Sequence, residues 1–365
     1  MKNISFLIKP SSSKCNLNCS YCFYYDEAQN RSIEDYGYMS DETTYKLIEQ
    51  AFLYAKDGNI SFAFQGGEPT LIGLDYYRKF IACVNSMKDN ESVNYSIQTN
   101  GLLIDEEWSI FFQENNFLVG LSLDGTKKTN DTNRVDYTKK GSYFQIIAAA
   151  KILKKFEVSF NILTVVTNVV AKNTESVYNS YKELGFDYLQ FILCLEPLDN
   201  TIDNHSLSPE MYFSFLKKLF DLWYQDFMED NYISIRMFDN IGGMYLGRQP
   251  ESCDMIGQCT VQHVIEADGS IYPCDFYALD EYLLGNIMSD SLINLENHPI
   301  ATKFIDESIG VHEKCTQCKW LRLCRGGCKK HNDVKGLNKY CDTYLEFYEF
   351  AHDRFMEIAS KISGR

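Results

Sequence analysis

The sequence predicts an α/β protein: a partial, TIM-like (β/α)6 barrel followed by a cysteine-rich region and a closing helix. Three observations carry this reading. Short apolar runs alternate with amphipathic stretches six times before about residue 235, a pattern that calls for parallel strands joined by right-handed helical crossovers. Six units fall short of the eight that close a barrel. Beyond about residue 250 the alternation stops, and short segments there hold eight of the 13 cysteines.

In chain order, strands are expected at residues 4–8, 60–64, 95–98, 118–123, 158–166 and 188–193. Helices are expected at 41–56, with Ser40 as N-cap, and at 74–87, 105–115, 143–156, 175–184 and 209–228. Residues 241–247 read as a short connector. Apolar residues at 264–266 and 270–272 flank Asp268-Gly269, a hairpin signal that would bring Cys259 towards Cys274. A last amphipathic helix is expected at 344–362. Three domains follow: 1–235, 236–342 and 343–365.

Composition narrows the function. With 35 Lys+Arg against 50 Asp+Glu, the formal charge of -15 disfavours nucleic acid or an anionic membrane as a partner. No apolar run is long enough to span a bilayer, and the start lacks the marks of a signal peptide. A cytoplasmic monomer is expected. In such a compartment, clustered cysteines hold metal more often than they form disulfides. Cys83 and Cys194 stand alone and read as core residues.

Cys15, Cys19 and Cys22 supply three thiolates at spacings of four and three. Such a loop can cap three irons of a cubane and leave the fourth iron open to a small molecule. A zinc knuckle would need a fourth ligand, and no Cys or His lies close by in sequence. Cys253, Cys259, Cys274, Cys315, Cys318, Cys324, Cys328 and Cys341 make eight thiols, enough for two complete cubanes or two zinc sites. Ligand type alone does not separate these two.

The three-cysteine loop, with Tyr21 before its third cysteine, resembles the signature loop of the radical S-adenosylmethionine (SAM) enzymes. Gln65-Gly66-Gly67-Glu68-Pro69 is similar to that family's GGEP motif. The resemblance implies that the backbone and acid of this motif receive the methionine amino group. It also places Tyr21, Ser122, Arg134 and Leu195 among the SAM-binding residues, and Asp124 ends the same strand as Ser122. The fifth strand lacks the glycine-rich element of many members, so no adenine contact is assigned there. The later cysteines resemble a SPASM domain, which implies one auxiliary cluster on Cys253, Cys259, Cys274 and Cys328. A second would sit on Cys315, Cys318, Cys324 and Cys341.

Over nearly the whole chain the sequence is similar to the anaerobic sulfatase-maturating enzymes. The matching stretches are Ile8-Lys9-Pro10, residues 62–69, 98–101 and 118–122, and Tyr272-Pro-Cys-Asp-Phe-Tyr277. That resemblance implies three [4Fe-4S] clusters and SAM as cofactors. It implies oxidation of a Cys or Ser in a Cys/Ser-x-Pro-x-Arg segment of an unfolded or nascent sulfatase to Cα-formylglycine. Asp275 matches the catalytic acid that takes up a proton, and a flavodoxin or ferredoxin would supply electrons. The competing reading is a SPASM enzyme that forms thioether or carbon crosslinks in a ribosomal peptide. Those enzymes often carry a leader-binding domain ahead of the first strand, where this sequence has none.

Overall fold

In a computed structural model that describes residues 2–198 and 204–364, ten strands form one sheet. Seven run parallel in chain order: β1 (Ile4–Ile8), β2 (Asn59–Phe64), β3 (Ser92–Thr99), β4 (Leu118–Ser122), β5 (Phe160–Val166), β6 (Tyr188–Leu193) and β7 (Ser234–Ile235). Three more, β8 (Val264–Ile265), β9 (Ser270–Tyr272) and β10 (Gly285–Asn286), extend the sheet beyond β1. The curved sheet is open, with β7 and β10 at its edges.

The six expected strands are β1 to β6, and helices follow each as expected. Ser40 caps Asp41–Tyr54, its hydroxyl accepting from the Thr43 N–H at 3.0 Å. Alternation along β1 shows why the strand forms. Ile4, Phe6 and Ile8 are buried in the main core, where Phe6 stacks on Phe62 of β2. Leu7, on the opposite face, lines the barrel's interior.

Three departures from the sequence reading have physical causes. The expected connector 241–247 lies mostly within a helix, Arg236–Tyr245. Gly242-Gly243 signals a break, but burial of Phe238, Ile241 and Gly242 overrides that propensity. The closing helix begins at Cys341 rather than at 344 and runs to Ser363. A short helix, Phe23–Gln29, follows the three-cysteine loop.

The expected hairpin is β8–β9. It does more than turn: β8 pairs in parallel with β1, Leu7 opposite Val264 and Ile8 opposite Ile265. The cysteine-rich region thereby covers an edge that the barrel would otherwise expose. It also sets Glu266 beside Lys9 at the ends of neighbouring strands. Among the described residues no helix is long and apolar enough to cross a membrane.

Candidate active site and cluster pockets

The loop carrying Cys15, Cys19 and Cys22 leaves the carboxyl end of β1, where sites of such folds are built. Backbone bonds hold it: Asn18 N–H to Val135 O at 2.7 Å and Ser20 N–H to Asn133 O at 3.1 Å. The three sulfurs lie within electrostatic reach of one another. Burial pushes the Cys15 and Cys19 thiols up to about 12, although Arg134 draws Cys19 back down.

The other eight cysteines fall into two groups. Cys253, Cys259, Cys274 and Cys328 act on one another electrostatically, as do Cys315, Cys318, Cys324 and Cys341. Cys324 and Cys328 part company because the chain reverses between them. Arg325, Gly326 and Gly327 all take positive φ, at 50°, 92° and 72°. Among the described residues no three Cys, His, Asp or Glu side chains converge tightly enough to share one metal ion. A three-thiol loop and two sets of four thiols are ligand sets that suit iron–sulfur clusters. The raised thiols would ionise on binding them.

Gln65 to Glu68 follow β2 and are fastened to the cysteine loop. Gln65 N–H donates to Ile8 O at 2.9 Å, and Glu68 N–H to Lys14 O at 2.7 Å. The two glycines have separate reasons. A Cβ on Gly66 (φ 77°) would stand 2.5 Å from Cγ of Lys9, and one on Gly67 (φ 40°) 2.2 Å from Lys14 O. Gly66→Ala is therefore expected to destabilise the protein by about 2 kcal/mol or more, from overpacking and backbone strain. An anaerobic denaturation series on iron-replete protein checks this as a lower midpoint.

The Glu68 carboxylate is buried and accepts four hydrogen bonds. They come from Thr70 N–H (3.0 Å), the Thr70 hydroxyl (2.6 Å), the Thr99 hydroxyl (2.7 Å) and Asn100 N–H (2.7 Å). Burial raises its pKa, and these bonds oppose the rise without cancelling it. Glu68 thus braces its turn against the end of β3.

Near the ends of β1 and β4 a second buried group forms. The Tyr21 hydroxyl donates to Asp124 Oδ2 and accepts from Arg134 Nη1 at 2.6 Å, while Asp124 Oδ1 accepts from Val165 N–H at 3.0 Å. Arg134 Nε is buried with no partner. An orphaned guanidinium N–H beside the cysteine loop suits an anionic ligand group. Ser122 is buried at the end of β4. Leu195, beyond β6, lines a cavity with Ile192, Cys253 and Phe276.

The barrel's interior holds a cavity of about 450 Å³, lined among others by Tyr24, Gln65, Gln98, Asn161, Gln190 and Asp275. Asp275 Oδ2 accepts from the Tyr24 hydroxyl at 2.7 Å; Oδ1 is buried and accepts no hydrogen bond. Lys9 Nζ lies 3.0 Å from Glu27, 3.6 Å from Asp275 and 3.7 Å from Glu266, and Arg31 pairs with Glu266. Two cations thus face three carboxylates. Burial raises the Asp275 pKa, with Lys9 and Tyr24 pulling it back. For Lys9 burial works downwards, but Glu27, Asp275 and Glu266 outweigh it and the ammonium is held protonated.

Sequence reasoning singled out Asp275 but gave no role to Lys9, Tyr24, Glu27 or Glu266. Two of these carry a signal: Lys9 and Glu266 are charged residues ending apolar strands, Ile8 before one and Ile265 before the other. Tyr24 and Glu27 lie in the unforeseen helix after Cys22.

Residues 10–190 match the radical SAM superfamily, and residues 253–319 match the SPASM family, an iron-sulfur cluster-binding domain. The cysteine-type anaerobic sulfatase-maturating enzyme of Clostridium novyi (strain NT) is 45% identical, over 100% of both chains. The chain belongs to the anaerobic sulfatase-maturating enzymes. The serine-type enzyme of Bacteroides thetaiotaomicron is more distant, 29% identical over 95% of this chain and 89% of its own. The solved structure of native anSMEcpe with bound AdoMet (SAM) and Cp18Cys peptide superposes with a TM-score of 0.93. It is 45% identical and covers 99% of this chain and 100% of its own. As a sulfatase-maturating enzyme of this family, the protein is a radical SAM enzyme that works with iron–sulfur clusters and SAM.

Proposed function

We propose that this enzyme oxidises a cysteine side chain in a sulfatase polypeptide to Cα-formylglycine, with Asp275 accepting the thiol proton. The observation that carries the reading is Asp275 itself. It is a buried carboxylate lining the barrel cavity, held through Oδ2 and with Oδ1 free of hydrogen bonds. Cysteine is favoured over serine because identity is 45% to a cysteine-type relative and 29% to a serine-type one.

Cys15, Cys19 and Cys22 would hold the first [4Fe-4S] cluster, leaving one iron for SAM. With SAM, that cluster supplies a one-electron cleavage yielding an organic radical that takes hydrogen from an unactivated carbon. Arg134 offers its free Nε–H to the methionine carboxylate, near Tyr21 and Ser122, and Leu195 stays with the nucleoside. The backbone of Gln65, Gly66 and Gly67 and the Glu68 carboxylate, whose Oε2 accepts only from Asn100 N–H among the described residues, would receive the methionine amino group. Gln98, Asn161 and Gln190 present hydrogen-bonding groups to a peptide lying in the cavity. Once the substrate's Cβ has lost hydrogen, its thiol proton must leave, and Asp275 is placed to take it. Loss of the second electron would leave a thioaldehyde, which water would hydrolyse to the formylglycine aldehyde with release of hydrogen sulfide. Cys253, Cys259, Cys274 and Cys328 would hold one auxiliary cluster and Cys315, Cys318, Cys324 and Cys341 the other. Four thiols each would complete their ligation, which would suit them to accept the second electron.

In this reading 1–235 is the catalytic barrel, 236–342 the auxiliary-cluster region and 343–365 the closing helix. A cytoplasmic flavodoxin or ferredoxin would reduce the enzyme, which would act as a monomer. The test is an anaerobic incubation of reconstituted enzyme with SAM, a reductant and matched peptides carrying Cys-x-Pro-x-Arg or Ser-x-Pro-x-Arg. Aldehyde on the cysteine peptide is expected, at a rate at least about tenfold above that on the serine peptide. Deoxyadenosine release with both peptides unchanged would move the substrate elsewhere.

A further inference from the structure

Lys9 is fixed from several sides. Its backbone N–H donates to Ile265 O at 2.8 Å, joining β1 to the segment that leads into Glu266. Its aliphatic stem fills the space that a side chain on Gly66 would need. Its ammonium donates to Glu27 Oε2 at 3.0 Å, and Glu27 Oε1 accepts from Ala278 N–H at 2.9 Å, three residues beyond Asp275. Glu266, also close to Lys9, is held in turn by Arg31.

This anchored charge stands 3.6 Å from Asp275 Oδ1, too far for a good hydrogen bond but close enough for strong attraction in a buried setting. The ring of Tyr24 lies beneath the same ammonium, its centroid 4.9 Å from Nζ, and the Tyr24 hydroxyl holds Oδ2. One oxygen is therefore tied by a hydrogen bond, while the other is steadied by charge alone.

We propose that Lys9, braced by Glu27 and by the Glu266–Arg31 pair, is a positioning residue. It holds the Asp275 carboxylate in place while leaving Oδ1 free to accept the substrate's proton. The inference rests on the reading of Asp275 as the proton acceptor. It gives the glycine at 66 a second purpose, because that glycine makes room for the lysine stem. It also explains why the hairpin must join the sheet at β1: that pairing brings Glu266 and the segment after β9 to the lysine.

The test compares Lys9→Met with the double variant Lys9→Met/Glu27→Gln, which removes one cation and one carboxylate together and so keeps the charge difference of the cluster. Iron content, peptide KM, deoxyadenosine and formylglycine are measured on each, beside Asp275→Asn. The expected result is full iron and little change in KM, with deoxyadenosine still released. Formylglycine per deoxyadenosine should fall about tenfold or more in both variants, as misplacement of a reacting group costs. An unchanged ratio in either iron-replete variant overturns the proposal. So does a loss of iron or of total deoxyadenosine that accounts for the whole loss of product, since Lys9 would then be a structural support. If Asp275→Asn itself keeps full product formation, the reading of Asp275 has failed, and Lys9 positions no base. If Asp275→Asn is inactive and Lys9→Met is unaffected, only the role of Lys9 has failed.

Discussion

Asp275→Asn is expected to keep releasing deoxyadenosine while formylglycine falls about a hundred- to ten-thousand-fold, the range for losing a positioned general base. Asparagine keeps the size of the side chain and can still accept from the Tyr24 hydroxyl, 2.7 Å away in the native enzyme. It cannot take a proton. The substitution also leaves Lys9 and Arg31 facing only Glu27 and Glu266, two charges against two, so the buried group is better balanced than before. Stability should therefore hold, and the loss should read as chemistry. Asp275→Ala is a poorer test, because it would open a gap in the buried group and leave the Tyr24 hydroxyl only Gln65 Oε1, 3.1 Å away. Mass analysis of the peptide beside deoxyadenosine separates the two steps.

Cys328→Ala should cost the protein about four of about twelve irons, the share of one cubane. The lost cluster should be the one on Cys253, Cys259 and Cys274, because the left-handed turn at 325–327 sends Cys328 to that set and Cys324 to the other. Cys324→Ala should lose a similar amount from the other cluster. The double variant should then lose about eight irons, since two separate clusters are removed. A double variant that loses no more iron than either single one would place both cysteines on the same cluster. Iron and acid-labile sulfide per chain, measured anaerobically, decide between these outcomes.

Much of this architecture was legible in the sequence because strand alternation and cysteine spacing are local signals. β1 and β6 appear with the bounds their apolar runs suggest, and the helix after Ser40 starts at its cap. The helix at 236–245 was hidden by Gly242-Gly243, whose propensity is overridden by burial against distant elements. β7, with only Ser234 and Ile235, is too short for any periodicity to show. The pairing of β8 with β1 joins residues more than 250 positions apart, and no local pattern reports it.

The site divides in the same way. Cysteine spacing announced the thiols, and the Gly-Gly-Glu-Pro turn announced itself. Its acid is braced by Thr70, Thr99 and Asn100, with three of those bonds on Oε1 and one on Oε2, an arrangement no local pattern reports. The charge group around Asp275 draws on four stretches of chain, at 9, 24–31, 266 and 275. It becomes visible only once the hairpin has docked.

The most direct measurement uses a cysteine peptide deuterated at Cβ of the target residue, incubated anaerobically with the reconstituted enzyme, SAM and a reductant. The account predicts deuterium in the released deoxyadenosine, in step with aldehyde formed on the peptide. Aldehyde without deuterium transfer, or deoxyadenosine without any change in the peptide, would contradict it.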